Sequence, residues 1–312
     1  MKLIATLCTS LLVSFAPLSS NAFQLEHKSG VFTQEHPPSR VVSFDIGYLD
    51  TLDALGIDVT AVPQSVYGGS LKRFNEYKVV GTLFEPNYEE LQKIKPDLII
   101  AGGRSLNSMP NLDKIAPTVT FEYNPDSFME SLEKSSVDIA IAWGKEVNAH
   151  HKLITIKENI KTLHELNANK KGAFLFVING NIIAHAPGDR FGYVYELTGL
   201  ESVLPKRTEK DLQRARPKPG TPEAKAAAER RASEIELIAK ADPDWIIMLD
   251  RGAINNGKKT AANTIADHAA LSKTSAFKSG NIYYVDPNSW YIVTTGLNNV
   301  KSITDDLIHN MQ

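Results

Sequence analysis

The stretch EELQKIKPDLIIAGGR, Glu89 to Arg104, returns 147 residues later as ELIAKADPDWIIMLDR, Glu236 to Arg251 (243 − 96 = 147 for the two prolines). In each copy a Glu stands seven residues before a Pro-Asp pair, an apolar run follows, and an Arg stands eight residues after the Pro. Three residue types kept at one offset mark two copies of one structural unit, and therefore two similar lobes. The apolar run reads as a strand, which leaves each Arg where that strand ends.

Outward from the first copy, Arg40–Phe44 reads as a buried strand and Asp45–Leu55 as a helix, with Leu49, Leu52 and Leu55 on one face and Gly56 as its stop. Ile57–Val62 is a second strand, Tyr88–Ile94 a helix and Leu98–Ala101 the next strand. Around the second copy, Ala173–Ile178 and Ile182–Ala184 are strands about an Asn179-Gly180-Asn181 turn. A helix opens at Arg190-Phe191-Gly192, another lies around Ala266–Lys273, and Ile282–Val285 is a strand. Asp286–Tyr291 reads as a loop, and Leu297–Met311 as a closing amphipathic helix. Strands alternating with helices imply parallel sheets covered by helices, and in such sheets ligands bind beyond the carboxyl ends of the strands. The expected fold is α/β: two lobes, each a mainly parallel sheet flanked by helices, joined by a long spine helix. The expected boundaries are a signal peptide over 1–22, an N-terminal lobe over 23–144, an interlobe helix over 145–168 and a C-terminal lobe over 169–312. Within the last, 204–233 is rich in Lys, Arg, Glu, Pro and Ala and has no counterpart in the first lobe, so it reads as a solvent-exposed insertion.

At 312 residues the chain is long for one domain, and 42% hydrophobic with 22% charged residues is ordinary for a soluble globular protein. A net charge of −2 gives no pull toward nucleic acid or anionic membranes. Lys2, the apolar Leu3–Leu18 and the small residues up to Ala22 describe a secretory signal peptide, too short for a membrane span. The only cysteine, Cys8, lies inside it, so the mature chain has no disulfide, thiol nucleophile or cysteine metal site, and no lipidated Cys at the cleavage point. The expected location is the periplasm.

Enzyme signatures fail on particulars. Gly252-x4-Gly257-Lys258 resembles a phosphate loop, but Lys259 stands where a magnesium-binding hydroxyl belongs; His164-Glu165 lacks the second His of a zinc protease; no Gly-x-Ser-x-Gly elbow occurs. Arg104, Arg190 and Arg251 instead fall at strand ends or a loop-to-helix junction on the edge where the lobes face each other. Convergent guanidiniums want an anion, and their planar forks suit carboxylate or phenolate oxygens and stack on flat rings. Trp290 and Tyr291 are either further aromatic surface for a ligand or a half-buried core pair.

Paired PDLII and PDWII segments, Gly81 with Glu85-Pro86-Asn87, Asp189-Arg190-Phe191-Gly192, Asp250-Arg251-Gly252, and Asp286-Pro287 leading into Trp290-Tyr291 together resemble a known family. It is that of the class III periplasmic binding proteins of iron–siderophore ABC importers, in its catecholate-binding branch. The resemblance implies that Arg104, Arg190 and Arg251 hold a ferric catecholate and that Tyr291 is an iron ligand, and Trp290 is taken with them as the expected aromatic lining. It implies no intrinsic cofactor, Fe3+ arriving only inside the chelate. The family's iron-binding His belongs in the segment that here is 204–233, which holds no His. The donor then comes from the siderophore itself, from His185 or from water. Arg207, Arg214, Arg216, Arg230 and Arg231 of the insertion either cover the ligand or face solvent. Glu89 and Glu236 are the expected permease-docking residues, one per lobe, although a helix-start carboxylate favoured by the dipole accounts for each equally well. The expected partners are a ferric siderophore and the permease subunits, with the chain acting as a monomer, without nucleic acid or stable membrane insertion. Haem, a corrinoid or another iron chelate is the alternative cargo, and a secreted siderophore hydrolase the alternative of another class. The spine helix predicts small lobe movement.

Overall fold

The computed structural model describes residues 22–214 and 217–312, so the expected signal peptide up to residue 21, with Lys2 and Cys8, and Arg216 lie outside the described residues. Two parallel sheets form, one per lobe. In the first, Val41–Ser43, Leu98–Ile100 and Thr118–Val119 run parallel in that order, and a Val42–Ala61 bridge joins them to the parallel pair Val62–Gln64 and Val79–Thr82. In the second, Glu201–Ser202, Lys171–Ile178, Trp245–Asp250 and Ile282–Tyr284 run parallel, and Asn181–His185 returns antiparallel along Lys171–Ile178. A hairpin of Phe23–His27 with Gly30–Gln34 packs on the first lobe, Phe23 lying edge-on to Trp143.

The repeated stretch builds the centre of each sheet, which explains its unbroken apolar run: a strand with neighbours on both sides and helices on both faces has no wet face. The equivalence reaches individual hydrogen bonds. Each preceding helix ends in a left-handed residue directly before the Pro, Lys95 (φ 54°) and Asp242 (φ 49°). Asp97 then accepts from the Arg40 amide (2.7 Å), and Asp244 from the Lys171 amide (2.7 Å), each the residue entering the neighbouring strand. The Pro-Asp pair thus stops a helix and fixes the register of the strand that follows.

The helices differ. Tyr88–Ile94 has 7 residues, whereas its counterpart Pro222–Ala241 has 20. The expected insertion is therefore no separate excursion in its second half: from Pro222 on, with Thr221 as cap, it is the front of the helix that carries Glu236. The strand expected at Ile57–Val62 forms at Val62–Gln64, because Ile57 and Val59 pack into the core instead of entering a ladder. The helix expected around 266–273 lies at Ala261–Ala266, and most of Asp286–Tyr291, expected as loop, falls in Asn288–Val293, one wide π-helical turn. Phe128–Trp143 stops at Gly144 (φ 64°) and Glu146–Leu166 continues as the spine, packed against Leu297–Met311. Among the described residues no helix is long and apolar enough to cross a membrane.

Candidate ligand site

Each of the three arginines follows a turn bracketed by an Asp. Before Arg104, Gly102 has room only for hydrogen, since a Cβ there would sit 2.6 Å from the Asp45 carboxylate, and Gly103 is left-handed (φ +48°). Asp45 meanwhile caps Ile46–Leu55, accepting from the Gly47 amide at 2.9 Å. Before Arg190, Asp189 accepts from the amides of Ala186 (2.9 Å) and Phe191 (3.2 Å), with His185 Nδ1 2.8 Å away. Before Arg251, Asp250 accepts from the amides of Gly252 (2.9 Å), Ala261 (2.8 Å) and Thr260.

These turns aim three guanidiniums from two lobes at one ring. The Tyr291 centroid lies 5.3 Å from Arg104 Cζ, 4.3 Å from Arg190 Cζ and 5.0 Å from Arg251 Cζ. Arg104 also crosses the cleft through its Nη2, which donates to the Tyr291 carbonyl (2.7 Å), while Arg190 Nη2 donates to the same oxygen at 3.3 Å. Beneath Tyr291 lies an aromatic tier: Phe176 and Phe191 stack on it at 5.9 and 6.3 Å. Phe174 and Phe176 share one face of their strand by the two-residue repeat.

The cluster carries more positive than negative charge, with Asp45 near enough to favour the Arg104 cation. Arg73, Arg207 and Arg214 each pair with a carboxylate, whereas Arg104, Arg190 and Arg251 make no ion pair among the described residues. Burial, then the charge of Arg190, disfavour the cationic form of Arg104. Burial pushes the Tyr291 phenol up, but the donors and charges of Arg190 and Arg251 outweigh it, leaving the phenol below its ordinary value. The arrangement is a half-exposed phenol set in a patch of excess positive charge, able to accept a flat, polyanionic ligand.

Four of the five expected ligand residues are brought together; Trp290 is not among them. It is 1% exposed, stacked on Tyr193 (5.6 Å) and Phe174 (5.8 Å), so its ring supports the turn from below and cannot touch a ligand. His185 is committed to Asp189 and presents its edge to Phe191 at 4.8 Å, inside the aromatic tier. Arg207 does not cover the ligand: it donates to Glu234 (2.5 Å) and to the Ala184 carbonyl (3.2 Å), holding the long helix to the sheet. Glu89 and Glu236 are exposed on equivalent helices, but only Glu89 lies in a first turn. Glu236 is near the other end of its helix, so dipole stabilisation does not account for it. The bracketing Asp45 and Asp189 were not singled out in the sequence as site residues; the Asp-Arg-Phe-Gly string was the available signal for the second.

Residues 41–289 match the family model described as periplasmic binding protein, a span holding all three arginines and ending just before Tyr291. The petrobactin-binding protein YclQ of Bacillus subtilis is 29% identical over 282 residues, 86% of this chain and 83% of that protein. Its crystal structure overlays with a TM-score of 0.79 at 25% identity, covering 94% of this chain and 99% of that one. The ferric-anguibactin-binding protein FatB of Vibrio anguillarum is 24% identical over 297 residues, 92% of this chain and 87% of that protein. The periplasmic catecholate-siderophore binding protein VctP of Vibrio cholerae overlays with a TM-score of 0.77 at 26% identity, covering 92% of this chain and 99% of that one. With two parallel-sheet lobes about one cleft and a family match across most of both, the chain belongs to the periplasmic binding proteins.

Proposed function

We propose that this protein captures a ferric catecholate-type siderophore in the periplasm and delivers it to the permease of an ABC importer, without catalysing a reaction. One observation carries the reading: three guanidiniums from both lobes, without an ion pair among the described residues, converge on the Tyr291 ring at 4.3–5.3 Å. A ferric tris-catecholate is anionic and presents flat rings, so it meets both the charge and the stacking faces of such a cluster. The relatives named for petrobactin, ferric anguibactin and catecholate siderophores support the same class of cargo. Iron enters as part of the cargo. The phenol of Tyr291, eased toward its anion, is a hard oxygen donor suited to ferric iron, and the chelator supplies the remaining donors.

Magnitudes are consistent with tight binding by several contributions. Hydrogen bonds to charged groups give about 1.5–3 kcal/mol each, so three arginines supply about 5–9 kcal/mol. Nanomolar affinity needs about 12 kcal/mol, and ring stacking with the Tyr291 bond to iron makes up the difference. Glu89 and Glu236, exposed on matching helices, are the contacts proposed for the permease. Titration with a ferric tris-catecholate, read by intrinsic fluorescence, tests the function. Quenching of Trp290 and its neighbours at micromolar ligand is expected, with intact chelate recovered afterwards; no change in emission refutes capture, and a cleaved chelate refutes the absence of catalysis.

A further inference from the structure

The cleft works only if Arg104 on one lobe is held at a fixed distance from Arg190, Arg251 and Tyr291 on the other. Two long helices next to the cleft, Phe128–Trp143 and Leu297–Met311, begin without any side-chain cap of their own, at Ser127 and Gly296. A bare helix start leaves amides without partners. Here the partners come from across the cleft: Leu297–Met311, reached through the Tyr291 turn, packs on the first lobe's Ile46–Leu55 and on the spine, and Phe128–Trp143 meets the second lobe's Tyr193–Thr198. Asp50, on the first lobe's helix Ile46–Leu55, accepts through Oδ2 from the amides of Asn298 (2.8 Å) and Asn299 (2.9 Å). Glu196, on the second lobe's helix Tyr193–Thr198, accepts from the amides of Phe128 (2.9 Å) and Met129 (3.0 Å). One carboxylate goes each way across the molecule.

Local sequence is shaped around both. At Gly296 (φ +99°) a Cβ would lie 2.5 Å from Asp50 Oδ2, and at Gly47 it would strike Thr295 Oγ1, so two glycines let helix Ile46–Leu55 close on the segment after Tyr291. From Asp50 the connection runs on: Asn299, whose amide it holds, donates from its side chain to the Ser289 carbonyl (3.1 Å), two residues before Tyr291. Asp50 also accepts from Ser70 Oγ at 3.0 Å and is fully buried. On the other side, Glu196 sits in the helix that directly follows the Arg190 turn. Its backbone carbonyl meets His164 Nε2 of the spine at 2.8 Å, and Phe128 stacks on Tyr193 at 4.5 Å. Each capping helix therefore starts at an arginine turn: Asp45, bracketing Arg104, opens one, and the Asp189–Gly192 turn opens the other.

We infer that Asp50 and Glu196 are positioning residues, reciprocal caps exchanged between the lobes that set the spacing of Arg104 from Arg190, Arg251 and Tyr291. The inference rests on the reading that these groups hold one ligand, but its first test needs no ligand. In a Cys8→Ser background, spin labels at Lys72→Cys and Lys273→Cys, both exposed and one on each lobe, report the interlobe distance. Asp50→Ala and Glu196→Ala are expected to shift or broaden that distance and to weaken binding of a ferric tris-catecholate about tenfold, the scale of a lost helix cap. Asp50→Asn keeps an oxygen at the Oδ2 position, where both amides bond, and is expected to restore the wild-type distance and affinity. If Asp50→Ala does not fold, the half-buried Glu196→Ala carries the test. A wild-type distance in folded alanine variants overturns the inference. A shifted distance with unaltered affinity leaves the caps standing and refutes instead the reading that the four groups hold one ligand.

Discussion

The two lobes start from the same stretch of sequence and end with different roles. Both copies stop a helix at a left-handed residue, lock a central strand through a Pro-Asp pair and place an Arg at the cleft. In the first lobe that Arg is half-buried and spends its best hydrogen bond on the Tyr291 carbonyl, so Arg104 is a brace across the cleft as well as a proposed ligand contact. The second lobe adds Arg190 and Tyr291 from unrepeated segments and keeps Arg251 free of ion pairs among the described residues. The repeat thus builds a cleft edge, and what is not repeated decides what the cleft takes.

The sharpest way to break this asymmetry is to remove the second lobe's charges. Arg190→Ala with Arg251→Ala is expected to cost about 3–6 kcal/mol of ferric catecholate binding, measured by fluorescence titration, against about 1.5–3 kcal/mol for Arg104→Ala. Equal losses would mean that the lobes share the ligand evenly. The same double variant removes the groups that lower the Tyr291 phenol, so its midpoint in an ultraviolet pH titration should rise.

Next in size is a pH effect carried by the cap. Burial raises Asp50 to about 6 from 3.8, against its hydrogen bonds from Asn299, Ser70 and Asn298, with the Asp53 charge adding to the rise. The folded state then binds this proton more tightly than the unfolded chain. Its stabilising contribution is complete below about pH 4 and is lost as pH rises through about 6, by about 3 kcal/mol. Denaturant unfolding between pH 4 and 7 should show that decline in the wild type and a flatter profile in Asp50→Asn. A smaller effect attaches to Tyr291→Phe, expected to cost about 1 kcal/mol of binding and to shift the ferric charge-transfer band. An unchanged band removes Tyr291 from the iron shell.

What the sequence made legible follows the range of the physics. Helices marked by local signals were readable: Ile46–Leu55 lies between its Asp45 cap and the left-handed Gly56, and Leu297–Met311, although its start is capped from afar, shows its apolar stripe. The cleft arginines were readable because the repeat and the Asp-Arg-Phe-Gly turn are local strings. Trp290 was not, since its partners Tyr193 and Phe174 come from other elements and nothing adjacent distinguishes a buried tryptophan from a cleft one. Asp50 is 248 residues from the amide it caps and Glu196 is 68 from its own, so no window of sequence contains either pair. The insertion misled for a related reason. Its charged residues look solvated, but Arg207 is held by Glu234, 27 residues later.

The smallest expected effect returns to the repeat and separates its two glutamates. Glu89 lies in the first turn of its helix, where the dipole favours a carboxylate; Glu236 lies in the last turns of Pro222–Ala241, where it does not. Glu89→Gln should therefore cost about 0.3–1 kcal/mol of stability, and Glu236→Gln, more than one turn from its helix end, should gain less than that. Neither side chain is near the arginine cluster in the fold's layout, both being upstream of the strand that leads to it, so ligand affinity should not change. If both nevertheless reduce uptake in cells equally, opposite effects on stability with one effect on transport point to a shared contact outside the protein. If uptake follows stability instead, the exposed pair is part of two helices and nothing more.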